Sequence, residues 1–305
     1  MKAQLLLFFF CLSVIGGMGQ GTITRNKCKT CGKVISQCPH KGKHPKPAPK
    51  PESKPKPKPK PTPKQNSKPR VTASYQNLTI RVGDVNFVMV KVSGGTFTMG
   101  ATSEMKEPWN DEKPTHQVTL SSYYIGETEV TQALWKAVMG SNPSIFKGDN
   151  LPVEEVSWND CQTFISRLNS LTGKRFRLPT EAEWEFAARG GNQSRHTQYS
   201  GSSRIDDVAW YKDNSGDKTH PVKTKQPNEL GIYDMSGNVY EWCQDWYGSY
   251  SSYAQTNPTG AGSGSRRVYR GGSLNDPWYC RSSYRNCDAP EGSFNILGLR
   301  LVLSQ

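Results

Sequence analysis

Residues 54–61 read Lys-Pro-Lys-Pro-Lys-Pro-Lys-Pro, and the alternation continues in looser form over 45–70. Neither a helix nor a sheet ladder can run through such a tract. Each proline fixes φ and lacks an N–H, and the lysines between them repel one another. Residues 45–70 are therefore predicted as an extended polyproline-II spacer, reaching several tens of Å at ~3.1 Å per residue. It either spans distance or tethers the chain to an anionic surface polymer. A folded domain must then be built from residues 71–305, which is long enough for one domain with its own core.

The same tract explains the charge. The formal +13 would by itself point to nucleic acid or a membrane surface. Residues 20–70, however, hold 13 Lys and 2 Arg against one acid, Glu52, and Lys2 adds one more. The 235 residues from Val71 onward carry the remainder, −2. A basic nucleic-acid-binding fold is excluded as the default reading.

Residues 1–19 read as a secretory signal: Lys2, an apolar stretch from Leu5 to Ile15, and small residues at Gly17-Met18-Gly19. That stretch is too short to span a bilayer, and no later one is long enough. The expectation is an exported protein, periplasmic, at the cell surface or secreted. Export implies an oxidising compartment. Removing Cys11 with the signal leaves Cys28, Cys31 and Cys38 in a small Cys/His segment over 20–44, and Cys161, Cys243, Cys280 and Cys287 in the body. Cys28, Cys31 and Cys38 with His44 have a donor set suited to tetrahedral zinc; the competing reading is a disulfide within that segment.

In the body, Phe87–Val92 reads as a buried strand, followed by a Gly94-Gly95 turn and a short strand to Met99. His116–Leu120 and Tyr123–Ile125 are predicted to pair with each other. Thr131, Ser157 and Thr180 are predicted helix N-caps, the last with Glu183 as a capping box. Val268–Arg270 and Leu299–Leu303 are further strands in a loop-rich, α+β C-terminal half.

Several stretches, taken in order, resemble the formylglycine-generating-enzyme (sulfatase-modifying-factor) family. They are Val92-Ser93-Gly94-Gly95-Thr96-Phe97-Thr98-Met99-Gly100, Thr128-Glu129-Val130-Thr131, and the run from Arg177 to Glu185. The others are Gly231 to Trp242, Arg270-Gly271-Gly272-Ser273 and Gly298-Leu299-Arg300. The resemblance covers about residues 84–304 and implies a variant of the C-type-lectin fold with little regular secondary structure. It further implies a calcium loop formed by the carbonyls of Ser236, Gly237 and Val239 and the carboxylate of Glu241; the competing reading is a tight turn whose Glu241 caps backbone donors.

Family enzymes bind copper through two cysteines five positions apart and oxidise a substrate cysteine to formylglycine. Cys280 matches the second of these, but Asn275 stands where the first would be, and an amide cannot replace a thiolate toward Cu(I). Cys280 is then catalytic only if another thiol joins it. Otherwise it is expected in a disulfide, with Cys243 the leading partner. Together these readings favour a non-catalytic binding or assembly module at the cell surface, with a loop-built groove for a peptide, protein or glycan in which Trp278 and Tyr279 are candidate stacking residues. The alternative is a copper-dependent formylglycine-generating oxidase.

Overall fold

The computed structural model describes residues 77–304, all within the unit Val71–Gln305. The predicted signal, the Lys-Pro spacer and the zinc candidates Cys28, Cys31, Cys38 and His44 lie outside the described residues.

Strands β1 (Leu78–Val82), β2 (Val85–Val92) and β3 (Gly95–Met99) open the domain, followed by β4 (His116–Leu120) and β5 (Tyr123–Gly126). Helix α1 (Gln132–Met139) begins where Thr131 Oγ1 accepts the Leu134 N–H and ends at Gly140 in the left-handed region. Helix α2 (Trp158–Thr172) starts from a Ser157/Asp160 capping box. Its face of Cys161, Phe164, Ile165 and Leu168 is buried, and Trp135 of α1 stacks on Phe164 at 4.8 Å. After the two-residue strand β6 (Phe176–Arg177) comes α3 (Glu181–Ala188), capped by Thr180 and Glu183 as the spacing predicts. A short α4 (Ile205–Val208) precedes β7 (Tyr240–Trp246), β8 (Gln255–Thr256), β9 (Arg267–Arg270), β10 (Arg285–Asp288), β11 (Leu297–Leu299) and β12 (Val302–Ser304).

Three sheets result, ordered β1-β2-β5-β12-β6, β10-β9-β7-β11 and β3-β4-β8. The architecture is α+β and loop-rich. One apolar cluster gathers α1, α2 and Trp242; a second gathers β4, β5, α3 and Val268.

Two strand readings are corrected. β4 and β5 do not pair: β4 joins β3, while β5 lies between β2 and β12. The predicted Leu299–Leu303 strand is broken at Arg300-Leu301 into β11 and β12, which belong to different sheets. The break coincides with Arg300, whose side chain turns into the core and ion-pairs with Glu241.

Candidate functional site

The loop side of the domain is held by arginines no sequence reading placed in the interior. Arg270, Arg281 and Arg300 are among the largest fully buried side chains. Each is matched to carboxylates, as burial of a charge requires. Arg270 bonds Glu181 and Glu185 of α3 (3.1 and 2.5 Å), and Arg285 adds a second pairing to Glu181 (2.7 Å). Arg281 pairs with Glu112, whose other oxygen accepts from Ser283. The sequence did contain a signal. Glu181, Glu183 and Glu185 alternate with Ala182, Trp184 and Phe186, so α3 has no polar face, and every one of its residues is buried.

The Glu112–Arg281 pair joins two loops and sets an aromatic platform above them. Glu112 Oε1 accepts the Trp109 N–H (2.8 Å), fixing Trp109 so that half of it stays exposed (50%). Trp109 meets Tyr279 and Tyr284 edge-on at 6.0 and 5.8 Å. The stack continues inward, from Tyr284 to Tyr240 at 6.5 Å and from Tyr240 to Tyr269 at 4.9 Å. Trp278 stands beside Tyr279, 44% exposed. The sequence-predicted stacking residues Trp278 and Tyr279 are therefore at the surface or half-buried. Trp109 completes the patch, with Tyr284 buried beneath it; sequence reasoning missed Trp109 because it comes from a distant segment.

Cys280 lies under this platform, at the end of the 3-10 turn Pro277–Cys280. The backbone at Gly272 (φ +73) passes so near that a Cβ there would lie 2.7 Å from the Cys280 Cα, so this position requires glycine. Ser236 Oγ donates to the Cys280 carbonyl (2.8 Å), and the thiol points to the Ser273 carbonyl at 3.9 Å. Cys280 is fully buried, and burial pushes its thiol up to about 12, so the neutral form prevails. Asn275, at the first family cysteine position, hydrogen-bonds the Tyr240 hydroxyl through its side chain and accepts the Lys212 N–H on its carbonyl (3.1 Å). One neutral, enclosed thiol and an engaged amide do not fit a two-thiolate copper site.

The disulfide expected between Cys243 and Cys280 is not formed. All four body cysteines are free. Cys243 packs with the cluster of Trp184 and Val268, whereas Cys280 packs with Tyr199 and Tyr211, in a separate cluster.

The calcium expectation meets a similar obstacle at Glu241. Its Oε1 accepts from Arg300 Nη2 (2.7 Å) and its Oε2 from Arg300 Nε (2.9 Å) and Trp184 Nε1 (2.7 Å). Both oxygens are taken by protein donors, one a buried guanidinium that repels a divalent ion. The carboxylate does not fit the role as it stands; its donors are the side chains of Arg300 and Trp184, not the backbone donors of the competing reading. Asn238, between Gly237 and Val239, sits at φ +63 and ties this turn to the His220 backbone and to Glu129. Among the described residues no three His, Cys, Asp or Glu side chains come together as a metal site.

Comparisons with known proteins agree with this fold. The Treponema denticola variable protein 1 superposes with a TM-score of 0.68 at 35% identity, covering 75% of this chain and 99% of that one. The structure of PvdO from Pseudomonas aeruginosa superposes at 0.62 with 26% identity over 75% and 98% of the two chains. Chaperone protein LppX of Paenibacillus barcinonensis is 37% identical over 52% of this chain and 71% of its own length. The formylglycine-generating enzyme of Streptomyces coelicolor is 30% identical over 69% and 87%. Residues 84–305 match the sulfatase-modifying factor enzyme 1-like domain, and the chain belongs to that family.

Proposed function

We propose that this is an exported, non-catalytic binding module of the sulfatase-modifying-factor family, which engages a protein or glycan ligand on the platform of Trp109, Trp278 and Tyr279. The observation that carries it is the pairing of a lone buried Cys280 with Asn275. Where family enzymes place a metal-binding thiol pair, this chain has one neutral thiol and an amide bonded to Tyr240. The platform next to it presents the exposed rings of Trp109 and Trp278 and the half-buried ring of Tyr279, an arrangement suited to stacking on apolar or sugar faces. The names of two similar proteins, a chaperone and a variable protein, accord with binding. In this reading the Lys-Pro arm holds the module at a cell surface.

Competition for Cu(I) against a chromogenic chelator tests the metal side of the proposal. The reduced protein is expected to leave the chelator complex intact, and Cys280→Ser to behave identically. Stoichiometric withdrawal of copper, abolished by that substitution, would contradict it.

A further inference from the structure

A second site lies between β4, the start of α3, the end of β7 and the 248–261 segment. It is a cavity of about 180 Å³ lined by Met99, His116, Asp245, Trp246, Tyr250 and Ala261. Clefts for drug-sized ligands begin at ~300 Å³, so this one takes a headgroup and a few methylenes rather than a ring system.

Its distinguishing feature is Asp245. The residue is buried, and among the described residues the one donor to its carboxyl is the backbone N–H of Glu181, on Oδ2 at 3.0 Å. Among the described residues no donor reaches Oδ1 and no cation pairs with the carboxyl. The arginines nearby are already committed: Arg270 to Glu181 and Glu185, and Arg285 to Glu181. A buried carboxylate without a counter-ion is costly, and one that lines a cavity can be relieved by a ligand carrying the charge. The walls set the rest of the ligand's character. His116 packs edge-on against Tyr250 at 5.2 Å, and Arg285 and Arg267 cover faces of Tyr250 and Trp246 at 4.1 and 3.3 Å. With two ring faces covered by protein cations, the remaining ring edges, Met99 and Ala261 offer apolar contact to a short alkyl chain.

We propose that this cavity binds the primary ammonium end of a short alkyl chain, a free amine or a lysine side chain, with Asp245 as its counter-ion. Burial, reinforced by the charges of Glu181 and Glu183, pushes the Asp245 carboxyl up to about 8, and Arg285 offsets this only in part. Near neutrality, ammonium uptake therefore expels the Asp245 proton.

Calorimetric titration of the full chain at pH 7 with n-propylammonium, N-acetyl-lysine-N-methylamide and neutral n-propanol tests the proposal. Propylammonium is expected to saturate one site at least tenfold more tightly than propanol. The heat should vary with the ionisation enthalpy of the buffer. Asp245→Asn, which keeps an oxygen for the Glu181 N–H, should weaken binding at least tenfold. Ala261→Phe, which narrows the half-buried mouth and leaves Asp245 intact, should weaken it as well and keeps the test open if the Asn variant does not fold. Binding of the lysine amide as well as the amine identifies a peptide side chain as ligand; binding of the amine alone identifies a free amine. Equal affinity for propanol, unchanged binding by Asp245→Asn, or no saturation by either amine in folded wild-type protein would overturn the proposal.

Discussion

Replacing Arg300 with methionine should destabilise the domain by about 3–5 kcal/mol, the usual cost of leaving one partner of a buried ion pair alone. The guanidinium is fully buried and its donors are engaged. It grips both oxygens of Glu241 and donates to the Gly126 and Tyr233 carbonyls, each at 2.8 Å. It is also the cation shared by two more buried acids, Glu129 and Asp234. Burial raises both carboxyls, Asp234 to about 6, each raised further by a neighbouring acid and held down in part by Arg300. Arg300→Met therefore strands three acids at once and leaves two carbonyls without a donor. Urea unfolding should show the loss in midpoint, and adding Glu241→Gln should recover part of it. A loss below about 1 kcal/mol would mean that the pair does not hold β11 and β12 to β7.

The second large effect is in pH. Asp245 titrates near 8 when folded, against an ordinary value of 3.8. A carboxyl raised by folding binds its proton more tightly in the native state, so its contribution to stability falls as pH rises from about 4 to about 8. Glu181 and Glu183 of α3 add to the acidic side; Arg285 and His116 line the pocket from β10 and β4. Wild type should lose a few kcal/mol relative to Asp245→Asn between pH 5 and pH 8.5. Parallel stability profiles for the two would show that Asp245 is solvated or paired.

Features set by local rules were legible in the sequence. Thr131, Ser157 and Thr180 cap their helices because an oxygen at the N-cap reaches the first free N–H groups, whatever the rest of the chain does. The partners of β4 and β5 were not legible: adjacency along the chain is only a tendency, and β4 joins β3 while β5 joins β2 and β12. The arginines were missed for a related reason. Arg270 and Arg300 read as ordinary surface charges until their carboxylate partners, Glu185 and Glu241, are seen 85 and 59 residues away along the chain. At the candidate site, Asn275 was readable as a departure from the family pattern. That Trp109 joins Tyr279 and Tyr284 was not, since the Glu112–Arg281 pair that brings these loops together spans 169 residues.

The central claim is that the fold has kept its loop architecture without the thiol chemistry of the family's enzymes. The direct measurement is turnover: full-length protein with Cu(I), O₂ and a Cys-x-Pro-x-Arg peptide, read by mass spectrometry for the aldehyde. A buried Cys280 with Asn275 in place of a second thiol predicts unmodified peptide. Formylglycine that appears with the wild type and is lost in Cys280→Ser would contradict the claim.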